Sequence, residues 1–474
     1  MDHRACDARI AQLEALVESL QKTIEAQAAE IADLKRRLGE DSTNSHKPPS
    51  SDPPHRPPRE KRERGKRQPG GQPGHQGHAR ELLPVSEVHD VHDHKPTNCG
   101  NCGRKLRGED PAPQRRQVWE IPPVEPTVEE HRLHSLECAG CGKHTRASLP
   151  VGVPAGAFGP RLEALVGLLT GAYRISKRNV VQLLSDCFGV RVSLGSIKRI
   201  EDDLSNTLAA PTSEAKAFVR SQPVAQLDET SWWQCGKKAW LWTAATALVV
   251  VFVIRFSRGS KVAKELIGKD YPGRVVSDRW SGYKWIPIKR RQICWSHLKR
   301  DFQKIVEVGG EIGAIGEALQ AQRKQLFEWW HRVRDGTLKR STFKSYVCRL
   351  RAKVQDLLRQ GAACSNSKIA GMCRDIQKHE PAMWTFVRVE GVNPTNNHAE
   401  RVIRPAVIWR KTSFGTQSDA GSTFVERMLT VAGTLRLQGR NILDYLTEAC
   451  EAALFNRPAP SLLPQPTSCQ STAA

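Results

Sequence analysis

The sequence predicts a multidomain α+β protein, and three features along its 474 residues lead to that prediction. Apolar residues at a coiled-coil spacing open the chain. A short segment with two cysteine pairs then follows a stretch rich in Pro, Gly and basic residues. Strand-like alternation begins at Val224 and gives way to long helical patterns, an order typical of a mixed sheet flanked by helices.

The composition narrows the class of partner. A formal charge of +22 and a pI near 9.7 favour a nucleic acid, with an anionic membrane surface as the weaker alternative. The most apolar run, residues 241–256, is shorter than the roughly 20 residues that span a bilayer, so two buried strands explain it better. We expect no secretory signal and no membrane association, and therefore a cytoplasmic protein.

The first predicted element is a coiled coil over residues 7–39. Its apolar residues recur at alternating spacings of three and four, interrupted only at Gln27: Ile10, Leu13, Val17, Leu20, Ile24, Ile31, Leu34 and Leu38. This 3.5-residue period favours a homo-oligomer formed through the helix, and Gly39 is a natural helix stop. An amphipathic helix docked on its own domain is the alternative.

Residues 40–81 are predicted to form a basic, disordered linker, because Ser, Pro, Gly, Lys and Arg leave nothing to build a core. Within it, residues 56–67 hold seven Arg or Lys against two Glu. Contact with a phosphate backbone and a merely solvated linker both fit this composition. The tail at 459–474 is also predicted to be disordered.

Residues 82–150 contain two cysteine knuckles, C-G-N-C-G and C-A-G-C-G. Their four thiols belong to Cys99, Cys102, Cys138 and Cys141. Paired knuckles are typical of a zinc ribbon, and 13 cysteines without a secretory signal point to a reducing compartment rather than to two redox disulfides. We predict a structural Zn²⁺, which replaces a core that so short a segment cannot build.

Residues 158–210 are predicted to be helical and resemble a helix-turn-helix unit. Ser176 and Ser193 are predicted N-caps, and Gly189 is a predicted helix stop. The second helix would present Lys198 and Arg199 to DNA. Any packing unit of three helices has a similar pattern, so DNA contact and a purely structural role both stay open.

Three carboxylates stand in settings that suit metal chemistry. Asp228 lies in the alternating segment VAQLDET, Asp278 follows a predicted strand, and Glu400 opens a predicted helix. Glu400 also lies within a cluster of cations, which includes Arg401, Arg404, Arg410 and Lys411. Oxygen ligands of this kind favour Mg²⁺ or Mn²⁺, and two-metal phosphodiester chemistry needs such acids. An isolated acid is usually a cap or an ion-pair partner, so spacing alone leaves both interpretations open.

Four segments then make the comparison specific. LDETSWW, SDRWSGY, CWSHLKRDF and NNHAERVIRP with RKTSFG, in that order, resemble the transposases of the insertion-sequence-66 family. The resemblance covers nearly the whole chain. It implies a DDE enzyme whose RNase H-like core occupies residues 220–300 and 391–440, with a helical insertion at 301–390 and a C-terminal helix at 441–458. By this likeness Asp228, Asp278 and Glu400 match the three catalytic acids.

The resemblance also implies partners and a cellular setting. The partners are double-stranded DNA, as element terminal repeats and as target, and small accessory proteins; the setting is prokaryotic and nucleoid-associated. Contacts to DNA are expected from Arg401, Arg404, Arg410, Lys411, His297, Arg300, Lys198 and Arg199. The implied function is metal-dependent cleavage and strand transfer. A nuclease without strand transfer and an inactive zinc-containing DNA-binding regulator are the alternatives.

The segment CWSHLKRDF carries a cysteine and a histidine three residues apart, Cys294 and His297. Two ligands alone do not close a zinc site. We therefore expect a buried Cys294 and a His297 that faces phosphate, with simple core packing as the alternative.

Overall fold

The structure is a computed structural model that describes residues 3–38, 45–47 and 81–464. The chain divides into two compact units, one of residues 53–126 and one of residues 1–52 with 127–474. Most of the predicted linker, and residues 465–474 of the predicted tail, lie outside the described residues. Among the described residues, no helix is long and apolar enough to cross a membrane.

A single helix, α1 (His3–Leu38), spans nearly all of the predicted coiled coil. The described apolar side chains of its seam are about half exposed, from 46% at Leu34 to 63% at Ile24. An apolar stripe that is this exposed is open to a partner helix. The helix is therefore confirmed, and self-association through it stays a prediction.

Both cysteine knuckles are tight backbone turns. The second lies between the strands β1 (Ser135–Glu137) and β2 (His144–Arg146), which pair antiparallel. The backbone N–H of Gly103 donates to the Cys99 carbonyl at 2.9 Å, and that of Gly142 donates to the Cys138 carbonyl at 2.8 Å. Each glycine has a φ near +70°, which explains why both knuckles end in glycine.

Residues 158–210 are helical, as predicted. The elements are α2 (Pro160–Gly167) with a π turn at Leu168–Ala172, α3 (Lys177–Phe188) and α4 (Leu194–Thr207), followed by α5 (Ala209–Ser221). Ser176 and Ser193 each accept a backbone N–H three residues ahead, and Gly189 ends α3 with φ +67°. These contacts confirm the two predicted caps and the predicted helix stop.

A five-stranded mixed sheet follows. Its strands are β3 (Val224–Gln234), β4 (Lys237–Ala245), β5 (Val250–Arg255), β6 (Arg274–Ser277) and β7 (Arg291–Ile293), with α6 (Ser260–Ile267) between β5 and β6. The order across the sheet is β5-β4-β3-β6-β7. β3, β4 and β5 form an antiparallel meander, whereas β6 and β7 run parallel to β3. β4 and β5 are the two buried strands that the apolar run predicts.

The remaining elements are helices. They are α7 (Trp295–Val306), α8 (Gly310–Arg334), α9 (Arg340–Ala363), α10 (Ser367–Lys378), α11 (Glu380–Met383), α12 (Thr385–Arg388), α13 (Asn397–Ser413), α14 (Asp419–Gln438) and α15 (Ile442–Leu454). The helices α8 to α12 build a core of their own against α7. They occupy the predicted insertion between the second and third acids.

The two faces of β3 belong to different cores. Ala225 and Leu227 pack with the helices α5, α6, α14 and α15, whereas Trp232 packs with Ala399 and Ile403 of α13. Side chains alternate along a strand, so the even-numbered residues of β3 face α13 and the odd-numbered ones face away from it. Asp228 is therefore on the α13 side of the sheet.

The prediction of a disordered tail is wrong for residues 459–464. Leu462 is fully buried in the core of α15 and the sheet. Its carbonyl accepts from Gln438 Nε2 at 2.9 Å, and the Pro460 carbonyl accepts from Tyr445 Oη at 2.7 Å. The buried leucine and these hydrogen bonds order this segment, and neither feature produces a periodic sequence pattern.

Candidate active site

The register of the sheet places the first two acids side by side. Gln226 of β3 pairs with Val276 of β6 in parallel. Asp228 and Asp278 each stand two residues further along, so they are at the same level, Asp228 within β3 and Asp278 directly after the end of β6. Cys294 continues that level beyond β7, because its backbone N–H donates to the Ser277 carbonyl at 2.9 Å.

Glu400 joins them from the first turn of α13, which packs on the same face of β3. Burial raises the pKa of Asp228 well above its usual range, and the carboxylates of Glu229, Glu400 and Asp278 raise it further. The three sequence-predicted acids, the acid cluster, therefore lie near enough to repel one another. Their carboxylate oxygens do not form a group within 4.8 Å; among the described residues, the side chains that do are those of Cys294, His297 and Glu400.

The start of α13 is held in place by Asn396, which sequence reasoning missed. This side chain is fully buried, and its Nδ2 donates to the Leu227 carbonyl at 2.8 Å. Its backbone N–H donates to Cys294 Sγ at 3.1 Å, and the N–H of Ala399 donates to Gln226 Oε1 at 3.4 Å. These contacts fix Glu400 beside β3. The sequence feature that could have indicated this role is the pair of asparagines, Asn396 and Asn397, just before Glu400.

Four buried polar atoms at the acid cluster have no hydrogen-bond partner among the described residues. They are Thr243 Oγ1, His297 Nδ1, Asn396 Oδ1 and Glu400 Oε1. Thr243 is the cross-strand partner of Asp228. Each such atom costs about 1–3 kcal/mol when nothing satisfies it. Carboxylate, amide and hydroxyl oxygens are the donors that Mg²⁺ and Mn²⁺ prefer, so the residues present fit a divalent cation.

His297 lies in the first turn of α7, and its Nδ1 is 3.7 Å from Glu400 Oε1. Burial lowers the pKa of His297, and the charge of Arg300 lowers it further, while Asp278 and Glu400 act in the opposite direction. His297 is therefore directed at the acid cluster, and its expected phosphate contact stays a prediction, as does that of Arg300.

The predicted phosphate contacts of α13 separate into two groups. Arg401, Arg404 and Lys411 are exposed, as a phosphate contact requires. Arg410 instead donates to the Ser231 carbonyl at 2.9 Å and to Thr230 Oγ1 at 3.1 Å. Burial lowers the pKa of Arg410, and the side chain is committed to tying α13 to β3.

Two arginines beside the acids, Arg258 and Arg291, were not predicted from sequence. Arg258 donates to buried Glu229 from Nε and Nη2 at 2.9 and 2.8 Å, on the face of β3 away from Asp228. Arg291 is buried, donates to the Asp278 carbonyl at 2.6 Å, and has a pKa lowered to about 10 by that burial. These contacts hold the backbone that carries the two aspartates.

Arg279 connects the end of β6 to the helical insertion. Its Nη2 lies 2.7 Å from Asp301 on α7, and its Nη1 pairs with Asp375 on α10. The residue directly after Asp278 is thereby tied to two helices.

In the predicted helix-turn-helix unit, Lys198 pairs with Asp202 one turn later on α4. Arg199 is exposed. The ion pair occupies Lys198 along its own helix, which favours Arg199 over Lys198 as a contact for another molecule.

Comparison with known protein families shows which family the chain belongs to. The family described as Transposase IS66 family matches residues 156–423, which is more than half of the chain and includes all three acids. The chain belongs to the IS66 transposase family. A second description, zinc-finger binding domain of transposase IS66, matches residues 96–142 of this transposase. A family of unknown function matches residues 3–81.

The zinc-finger match covers all four cysteines of the two knuckles and supports structural zinc in the transposase. Backbone N–H groups of Cys102 and Asn101 lower the pKa of the Cys99 thiol. Those of Gly140 and Cys141 do the same for Cys138. Both knuckles thus favour the thiolate, which is the form that binds metal.

The transposase is also similar to the uncharacterized protein y4qI of Sinorhizobium fredii. The two are 24% identical over 238 residues, which cover 44% of this chain and 43% of that protein. The chain therefore spans less than half the length of this relative, whose name states no activity.

Proposed function

We propose that this transposase binds the ends of an insertion sequence and catalyses metal-dependent phosphodiester cleavage followed by strand transfer. The observation that carries the proposal is the cluster of Asp228, Asp278 and Glu400. One acid lies on β3, the second directly follows the parallel neighbour β6, and the third comes from a helix on the Asp228 face of the sheet. This arrangement in a mixed five-stranded sheet supports the RNase H-like core that the resemblance implies.

The roles of the side chains follow from their positions. The three acids would hold Mg²⁺ or Mn²⁺, which would supply activation of the attacking oxygen and charge neutralisation at the leaving oxygen. Asn396 holds Glu400 in register with Asp228, and Arg291 holds the backbone at Asp278. Arg401, Arg404 and Lys411 hold phosphates of the DNA backbone and oppose negative charge that develops during cleavage.

The other regions supply architecture. Cys99, Cys102, Cys138 and Cys141 bind one structural Zn²⁺, a proposal that rests on the zinc-finger match and on the thiolate-stabilising turn within each knuckle. The apolar stripe of α1 joins two copies of the chain, which brings two element ends together.

A strand-transfer assay tests the proposal. The protein is incubated with Mg²⁺, a labelled duplex that carries the element end, and a target plasmid. We expect both a cleaved end and a joined product. Cleavage without joining would instead support a nuclease, and DNA binding without either product would support an inactive regulator.

The exposed cations of α13 give a prediction about salt. Arg404→Ala is expected to lower the slope of log K against log salt concentration by about 0.9, because one phosphate contact and its released counterion are lost. Binding should weaken on every DNA sequence alike, as expected for a backbone contact. Fluorescence anisotropy of labelled duplexes across a salt series measures both effects.

Lys261→Ala is the matched control. It removes the same charge from an exposed position on α6, which packs on the opposite face of the sheet. The salt slope should not change in this variant. Equal slopes for Arg404→Ala and the wild type would remove Arg404 from the interface.

A further inference from the structure

Cys294, His297 and Glu400 form a cluster of potential metal ligands of a different chemical type from the acid cluster. One ligand atom from each, a sulfur, a ring nitrogen and a carboxylate oxygen, lies within 4.8 Å of the other two. His297 Nδ1 and Glu400 Oε1 are 3.7 Å apart, and neither has a hydrogen-bond partner among the described residues. Sequence alone shows two of these ligands; the fold supplies the third.

We propose that Cys294, His297 and Glu400 constitute a second metal site, which binds a transition-metal cation such as Zn²⁺. Tetrahedral ligands at Zn–N and Zn–S lengths of about 2.1 and 2.3 Å lie roughly 3.5 Å from one another. The observed separations therefore need only small side-chain shifts to close around an ion. Three protein ligands leave a fourth position for water or a phosphate oxygen.

The ligand types set the metal preference. A thiolate and an imidazole favour zinc and other late first-row cations over Mg²⁺, which prefers oxygen. Asp228 and Asp278 offer oxygen alone, whereas the proposed site replaces those two with sulfur and nitrogen. The two sites therefore select different metals although both use Glu400.

The local fold already presents the ligands. Cys294 is the N-cap of α7 and His297 is in its first turn, so the two side chains project from one helix end. The Asn396 backbone N–H donates to Cys294 Sγ at 3.1 Å, a contact that would stabilise a thiolate.

Sharing of Glu400 has a regulatory consequence, which rests on the proposed catalytic role of this acid. A Glu400 carboxylate that ligates Zn²⁺ beside Cys294 is withdrawn from the cation held by Asp228 and Asp278. The two occupancies then exclude each other. Zinc bound here would hold the enzyme inactive without disturbing its fold.

The experiment counts metal in the full-length protein. Purified chain is stripped with a chelator and reloaded with Co²⁺, and bound cobalt per chain is measured together with the thiolate-to-cobalt absorption band. We expect two ions in the wild type, one of them in the cysteine knuckles. Further substitutions are made in the Asp228→Asn background, so that the acid cluster does not take up cobalt. Cys294→Ser and His297→Gln should each lose one ion there, and Cys102→Ser should lose the other.

Carboxylate variants separate this site from the catalytic one. Glu400→Gln is expected to lose one cobalt ion, whereas Asp228→Asn should retain both, since Asp228 is not a ligand here. Thermal unfolding of each variant checks that the fold is intact. If Cys294→Ser does not fold, the cobalt count of His297→Gln is the deciding measurement. Retention of both cobalt ions when His297→Gln or Glu400→Gln is added to Asp228→Asn overturns the proposal, whether or not the protein joins DNA strands.

Discussion

Asp228→Asn is expected to lower Mg²⁺-dependent cleavage and joining of DNA ends by roughly 10³-fold or more, because electrostatic stabilisation at the reacting phosphate is lost. Asp228 stands beside Asp278 in the register of β3 and β6 and faces the helix that carries Glu400. The amide keeps the shape of the carboxylate but not its charge. Binding of Mg²⁺ at the acid cluster should therefore weaken, while DNA binding is retained.

The same substitution is expected to stabilise the metal-free protein by about 1–2 kcal/mol at neutral pH. Burial and three neighbouring carboxylates raise the pKa of Asp228 in the folded state, so the folded chain binds this proton more tightly than the unfolded chain. Wild-type stability therefore falls as the pH rises from about 4 through the raised pKa. Asp228→Asn does not lose stability in this way, so the difference in free energy of unfolding between the variant and the wild type should shrink as the pH falls toward 4.

Two measurements check this prediction: product formation with Mg²⁺, and denaturant unfolding across pH in the presence of a chelator. Asp270→Asn is the matched control, since this exposed aspartate precedes β6 and lies outside the cluster. It should behave as the wild type in both. Full joining activity in Asp228→Asn would remove this residue from the catalytic set, and an unchanged stability would contradict the repulsion between the acids.

Much of the local structure was predictable from the sequence, because the signals are local. Alternation placed Asp228 on a strand, and the valines before Asp278 placed it at a strand end. Ser176 and Ser193 were identifiable as N-caps because a cap acts within three residues. The helical insertion was predictable for the same reason, since glycines separate its helical patterns.

What the sequence could not reveal depends on contacts between distant residues. Nothing in the pattern around Arg410 indicates that it bonds to Ser231 of β3, so the sequence alone predicts a DNA contact for it, as for its exposed neighbours. The pair Cys294 and His297 lacked a third ligand until the fold brought Glu400 to it. Such pairings arise from sheet register and helix docking, which local periodicity does not encode.

The two adjacent acids of LDET also have environments that local sequence does not reveal. Asp228 faces α13, whereas Glu229 is buried on the other side of β3 among charged side chains. The Glu229 side chain is 2% exposed, and it accepts from Arg258 and from Tyr283 Oη. Arg258 is stacked on Trp280, 3.8 Å from its ring centre. The motif contains both acids, but their environments differ only because successive side chains of β3 point into two different cores.

Arg258→Met is therefore expected to destabilise the protein by about 3–5 kcal/mol, because it leaves the Glu229 carboxylate buried without a cation. The side chain of Met still packs on the tryptophan, so the loss reports on charge rather than on volume. Burial already raises the pKa of Glu229 and Arg258 opposes that rise, so the variant should raise it further. Stability lost at neutral pH should then return as the pH falls through the raised folded-state pKa toward about 4.

The double variant Arg258→Met/Glu229→Gln separates charge from packing. The glutamine side chain is neutral and its carbonyl oxygen still accepts a hydrogen bond from Tyr283, so the double variant should recover about 2 kcal/mol relative to Arg258→Met alone. Denaturant unfolding of the four proteins in this cycle gives the coupling energy directly. A double variant no more stable than Arg258→Met would mean that the arginine acts through its stacking on Trp280, and that the Glu229 charge is satisfied by Tyr283 alone.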